Sequence, residues 1–258
     1  IARPSWAHLV LILLQGLFTS AFTEADSYRL YNGKTGKPLE LKKMARKLRK
    51  ADVVLFGETH NSVVDHQLQI RLVERIFERR GQSLVLGAEM FETDDQLILD
   101  EYLEGIILEK HLMAEAKTWN NYETDYAPLV RFSKQHGLSF VATNVPRRYA
   151  SLVAREGLES LKHLSEDARR LMAPLPFTVD MDQSLYRQML SMMMGHPGGD
   201  IDPERMVEAQ ALKDATMAHF ILKNLPDRAQ FVHINGSFHS DQYQGIVHSL
   251  LPSDPHID

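Results

Sequence analysis

The chain has 258 residues, 44% of them hydrophobic, and a formal net charge of −5. That length suits one large α/β domain, or one with a subdomain, around a sizeable core. The acidic balance gives no bulk attraction to nucleic acid, and the absence of cysteine excludes disulfides, thiolate metal sites, iron–sulfur clusters and a cysteine nucleophile.

Residues 9–14 form an unbroken apolar run, continued by Gly16-Leu17-Phe18, preceded by Arg3 and followed by the small residues Ala21 and Ala25. This is the pattern of a secretory h-region and its cleavage zone, and it is too short for a comfortable membrane span. Residues 1–25 are therefore expected to be a signal segment, and the protein to be exported. Asn32-Gly33 and Thr35-Gly36 signal a hairpin-like turn. Residues 39–50 read as a basic amphipathic helix with a solvated charged face. A strand at 53–56 is followed by a helix at 63–80, whose stripe is Val64, Leu68, Leu72 and Ile76 and whose end is Gly81. A strand at 84–86 leads to a helix at 94–104, stopped by Gly105. A helix at 126–136 tolerates Pro128 in its first turn and ends before Gly137. A strand at 139–142 and a helix at 147–156 complete this half.

From 157 to 203 the pattern is helical, punctuated by Pro174, Pro176 and Gly195-His196-Pro197-Gly198-Gly199, and has no strand-like run. It is expected to be a helical subdomain or lid over the strand ends. Pro203 opens a long helix reaching residue 224, followed by a strand at 231–234 and a helix at 240–250. Alternating strands and helices predict an α/β fold with a parallel-rich sheet flanked by helices. The core domain is then 26–156 together with 204–258.

Three of the strand-like runs are followed by short polar motifs: Gly57-Glu58-Thr59-His60, Gly87-Ala88-Glu89 and Asn235-Gly236-Ser237-Phe238-His239. In open α/β sheets ligands bind beyond the carboxyl ends of the strands, so Glu58, His60, Glu89 and His239 are expected to converge there as candidate catalytic residues. Carboxylates and imidazoles do general acid–base work and also ligate divalent metals, for which His60, His239 and Glu89 are the candidates. Arg147 and Arg148 open a helix and suit a carboxylate or phosphate. Tyr122, Tyr126 and Tyr149 stand near strand ends, and a tyrosinate can ligate ferric haem. Met189, Met192, Met193 and Met194 precede His196 and could fold over a flat apolar ligand. An inward-facing Asp214 would need a partner and is expected to support a site histidine.

Together with Asn144-Val145-Pro146-Arg147-Arg148-Tyr149, Ala209-Gln210, Lys213-Asp214 and Met217-Ala218, these motifs give the chain a resemblance over roughly residues 45–250. It resembles the ChaN-like haem-binding uptake proteins of the Tiki/ChaN superfamily, to which erythromycin-esterase-like enzymes also belong. The resemblance implies an α/β core with a helical subdomain. It also implies an exported, periplasmic or cell-surface protein that binds haem for haem and iron acquisition, with a homodimer holding paired haems through Tyr and His ligands. Tyr149 is the first choice of ligand, with Tyr122, Tyr126 and His196 behind it and Arg147 and Arg148 for the propionates. The Tiki-like alternative is a metal-dependent hydrolase, a protease or an esterase, using Glu58, His60, Glu89 and His239. The lipoprotein cysteine of the family is missing, which leaves membrane association open.

Overall fold

The computed structural model describes residues 28–194, 202–253 and 257. The expected signal segment and His196 lie outside the described residues. Two short antiparallel strands, β1 (Leu30–Tyr31) and β2 (Pro38–Leu39), form the hairpin that the Asn-Gly and Thr-Gly pairs announce. Asn32 Oδ1 accepts from the Thr35 amide at 2.9 Å and its hydroxyl at 3.0 Å, and so closes the turn. The basic helix is α1 (Leu41–Leu48), docked by buried Leu41 and Ala45.

The central sheet holds four strands: β3 (Val53–Glu58), β4 (Leu84–Glu92), β5 (Phe140–Asn144) and β6 (Gln230–Gly236), in the order β3-β6-β4-β5 with every pair parallel. The strands are joined by α2 (Val63–Arg80); by α3 (Gln96–Leu103), α4 (Glu109–Glu115), a π turn at Tyr122–Tyr126 and α5 (Ala127–His136); and by α6 (Arg147–Glu156), α7 (Glu166–Arg169), α8 (Ser184–Met194) and α9 (Pro203–Lys223). Helix α10 (Ile246–Ser253) follows β6. The chain leaves β3 toward β4 and later returns from β5 to β6 in the opposite lateral direction. Right-handed crossovers in opposite directions cover opposite faces, and the packing follows that rule. Leu84, Leu86, Ala88, Phe140 and Val232 pack with Leu68, Leu72 and Ile76 of α2 and Leu129 and Val130 of α5. Their alternating neighbours Val85, Val141 and Phe231 pack with Met217 and Ile221 of α9 and Ile246 and Leu250 of α10. Burial on both faces is why the strands read as continuous apolar runs.

Three departures from the sequence reading stand out: the helix expected at 240–250 begins only at Ile246, after a 3-10 turn at Asp241–Tyr243, and two others lie earlier in the chain. Strand β4 runs to Glu92 rather than stopping at 86. Gly87 is there for packing: a Cβ on it would come within 2.6 Å of the Phe231 ring in the neighbouring strand. The three polar motifs thus begin inside the strands and not after them. The other earlier one lies between 105 and 125, where α4 and the π turn occupy a stretch with no periodic signal. In the 157–203 region the described residues form a 3-10 stretch (Leu158–His163), α7 and α8, and no strand. Leu161 and Met172 pack with Val153 of α6 and Leu212 of α9, while Leu185 and Tyr186 of α8 pack with Val207 and Ala211 of α9.

Candidate functional site

Glu58 is the last residue of β3 and its side chain is buried. Its Oε1 accepts from Tyr126 Oη at 2.6 Å and from His60 Nδ1 at 2.9 Å, and its Oε2 accepts from the Gln69 amide of α2. The loop that carries His60 is tight because α2 is capped at both levels. Ser62 Oγ accepts from the Asp65 amide at 3.2 Å, and the Asp65 carboxylate accepts from the Thr59 amide at 2.8 Å. Asn121 Nδ2 and His66 Nε2 stand 3.2 Å and 3.0 Å from the His60 carbonyl oxygen. The His60 ring meets Trp119 edge-on, with centroids 4.8 Å apart. A carboxylate only accepts, so Nδ1 carries the proton and neutral His60 presents a lone pair at Nε2. Among the described residues that Nε2 has no hydrogen-bond partner, and the side chain is 42% exposed. The bond to Glu58 raises the His60 pKa above the ordinary histidine value, burial working against it.

The second cluster is buried. Glu89 of β4 accepts from the Gly236 amide at 2.8 Å through Oε2 and from His239 Nε2 at 3.1 Å through Oε1. His239 stands on the 3-10 turn Ser237–His239 that β6 runs into, and its Nδ1 donates to Asp214 Oδ1 of α9. Asp214 Oδ2 accepts from Tyr186 Oη of α8 at 2.8 Å. Burial disfavours the His239 cation, but the two flanking carboxylates outweigh it and hold the pKa up at about 10. Burial likewise opposes the Glu89 anion, yet His239 and the Gly236 amide bring its pKa down to about 2. Glu89 and His239 are therefore an ion pair at neutral pH. For Asp214 burial is the larger effect and pushes its carboxyl up.

The clusters meet across Gly236. A Cβ there would lie 2.6 Å from His60 Cε1 and 3.5 Å from Glu89 Oε2. Only glycine lets β6 pass between the two. At Glu89 opens a cavity of about 730 Å³, with Trp119, Asn144, Arg147, Gln210 and Lys213 among its other lining residues. That volume is within the usual range for small-molecule sites.

The structure thus brings Glu58, His60, Glu89 and His239 to the carboxyl end of the sheet and sets Asp214 behind His239. The tyrosines divide. Tyr126 is buried with its hydroxyl on Glu58, and Tyr122 is buried with its hydroxyl 3.3 Å from Glu109 on the other side of the π turn. Neither offers an open oxygen to iron, which corrects their selection as ligands. Tyr149 is partly buried on α6, stacked under the Arg148 guanidinium at 4.5 Å, and does not line the cavity. Arg147 lines the cavity but is paired with Glu92, and Arg148 is paired with Asp94. The metal expectation finds no support in the described residues. Among the described residues no group of three or more His, Asp or Glu is arranged to hold an ion. The oxygens of Glu89 and both nitrogens of His239 are already spent on each other, on Asp214 and on Gly236. Sequence reasoning missed Gln69, Trp119 and Tyr186. Gln69 had a signal, a polar residue beside Leu68 and Leu72 on the apolar side of α2, where it is fully buried. Tyr186 had none.

The structure described as cofacial heme binding to ChaN of Campylobacter jejuni superposes with a TM-score of 0.67 at 19% identity, covering 89% of this chain and 87% of that one. RRSP, a toxin effector domain from Vibrio vulnificus, gives a TM-score of 0.48 at 18% identity over 82% of this chain and 34% of that one. The protein RETICULATA-RELATED 5, chloroplastic, of Arabidopsis thaliana is 26% identical over 166 residues, which is 58% of this chain but only 22% of that protein's length. A family model described as "Haem-binding uptake, Tiki superfamily, ChaN" matches residues 44–250, a span that holds the whole sheet and both histidine clusters, and the chain belongs to that family.

Proposed function

We propose that this chain is an exported haem-binding protein serving haem and iron acquisition. The observation that carries the reading is the family match, which encloses every residue of the site. The local chemistry supports it. Val145, Ala150, Met189 and Met206 give the cavity an apolar side, and Trp119 and Asn121 connect it to His60. Bound haem would supply a ferric iron that takes one or two axial ligands. His60 is suited to be one: its Nε2 lone pair is unclaimed, it is half-exposed, and its Nδ1 is fixed by a carboxylate, as in most metal-ligating histidines. Tyr149 is the competing ligand, with the Arg148 Nη2 3.4 Å from its hydroxyl oxygen. The ChaN of Campylobacter jejuni is described as binding haem cofacially. A face-to-face pair of haems here would join two copies of the chain, so haem-loaded protein is expected to be a homodimer. Titration with hemin under a visible spectrophotometer tests the reading. Saturable binding with a spectrum altered by His60→Ala and kept by Tyr149→Phe supports it; the reverse pattern assigns the iron to Tyr149; no saturable binding overturns it. Export is tested by fractionating native cells and finding the mature N-terminus.

A second reading has its own observation, the two carboxylate–histidine clusters meeting across Gly236. It is hydrolysis by general acid–base chemistry, without the divalent metal that the sequence reading invoked. His60 Nε2 would take a proton from water as the water attacks a carbonyl carbon, and Glu58 would hold the imidazole in the right tautomer. His239, held as a cation, would stabilise the developing oxyanion once its bond to Glu89 opens, and as the oxyanion collapses and the ester C–O bond breaks, His60 would return its proton to the departing alcohol oxygen. Ester hydrolysis that survives a chelator and is lost in both His60→Ala and Glu89→Gln supports this reading; activity unchanged in Glu89→Gln counts against it.

A further inference from the structure

Of the four charged side chains that line the cavity, Glu89, Glu92 and Arg147 have ionic partners and Lys213 has none among the described residues. Arg147 is neutralised by Glu92, and Glu89 is neutralised by His239. Lys213 remains. It lies on α9 one turn beyond Gln210, whose amide touches the His239 ring at 3.1 Å, and next to Asp214. It is partly buried, it lines the cavity, and among the described residues its ammonium has neither an ion-pair nor a hydrogen-bond partner. Lysine withdrawn from water normally finds a counter-charge, so an unpaired one facing a cavity is a place for an anion.

A second group is unsatisfied in the same cavity. Asn144 ends β5 and its Nδ2 donates to the Glu89 carbonyl oxygen at 3.1 Å, which fixes the amide's orientation. Its Oδ1 is buried and has no donor among the described residues. An acceptor left in this state is costly unless a ligand brings an N–H or O–H. The cavity therefore offers a cation for an acid group, an acceptor for a donor, and an apolar side formed by Val145, Ala150, Met189 and Met206.

We infer that the cavity takes a small amide-bearing carboxylic acid, the chemistry of an N-acyl amino acid, with its carboxylate on Lys213, its N–H on Asn144 Oδ1 and its acyl body on the apolar side. This rests on the cavity's being the ligand site of the proposed function, and it names a ligand class for that site that does not depend on haem. The acyl amide would then lie on the same side of the sheet as His60 and His239.

Calorimetric titration with hippurate and with its neutral counterpart hippuramide tests the assignment. The two share the aromatic acyl body and the N–H and differ in charge. Wild-type protein is expected to bind hippurate at least about tenfold more tightly than hippuramide, the scale of one charge-assisted hydrogen bond. Lys213→Met should erase that preference, Lys213→Arg should restore it, and Asn144→Leu should weaken both ligands. Thermal melts of each variant separate loss of binding from loss of fold. Equal affinities in the wild type, a preference that survives Lys213→Met, or no hippurate binding at millimolar concentration overturns the proposal. Hemin is titrated separately into the same preparations, so that failure of the haem reading leaves the hippurate result standing.

Discussion

At the scale of single residues, the site is organised by what Gly236 lacks. Its missing Cβ is the space in which the His60 ring sits, and its amide proton is the one Glu89 accepts. Gly236→Ala would push a methyl group into the His60 ring. The side chain can answer by rotating away, which breaks its bond to Glu58 and leaves a buried carboxylate short of one donor. We expect the variant to fold with a loss of about 1–3 kcal/mol, typical of overpacking at a well-packed position. Hemin binding or hydrolysis should fall far more than stability does. NMR of the His60 ring checks the cause: a His60 resonance that titrates as in the wild type would refute it.

The residues of the site were legible in the sequence to unequal degrees. Glu58, His60, Glu89 and His239 stand in motifs next to glycine, where the backbone turns or passes close to another group, and that is visible in one dimension. Asp214 was visible as an acid on the inner face of a long helix. Tyr186 and Trp119 were not, because each gains its role from tertiary contact alone. Tyr122 and Tyr126 were chosen as ligands for a related reason. A tyrosine near a strand end looks available in sequence, but Tyr126 and Tyr122 spend their hydroxyls on Glu58 and Glu109.

At the scale of elements, helices and strands with full periodic stripes were legible, and short ones were not. Helix α4 and the π turn at Tyr122–Tyr126 are each under two turns long, too short for a stripe to repeat. The end of β4 was misplaced because Gly87 reads as a stop when its purpose is to admit Phe231. The docking of α8 onto α9 turns on one polar contact inside an apolar seam, Tyr186 Oη to Asp214 Oδ2 at 2.8 Å. Tyr186→Phe keeps the seam and removes that donor, leaving the fully buried Asp214 with His239 alone. The expected cost is about 1–3 kcal/mol, read from the midpoint of urea unfolding. The more telling readout is the His239 ring by NMR. With one donor gone, Asp214 should bind the shared proton differently and the ring resonances should move, whereas a purely structural tyrosine would leave them in place.

At the scale of the whole molecule, the parallel sheet is sealed on both faces and its carboxyl edge carries a buried ion pair that spans β4, the turn after β6 and, through Asp214, α9. Stability should therefore depend on pH in a definite direction. His239 titrates at about 10 in the fold against 6.5 for an ordinary histidine, so its contribution is full below 6.5 and is lost as pH rises toward 10. Glu89 titrates at about 2 against 4.5, so its contribution is full above 4.5 and is lost as pH falls toward 2. The pair is intact for both reasons between 4.5 and 6.5. The melting temperature should be highest in that window and fall by several degrees at the alkaline end, at roughly 2–4 °C per kcal/mol for a chain of this size. His239→Gln keeps a donor toward one carboxylate but cannot titrate. It should lower the melting temperature in the window and flatten the alkaline limb, so that mutant and wild type converge as pH approaches 10. Parallel curves for the two proteins across that limb would mean that other groups set the pH dependence and that His239 is neutral in the fold.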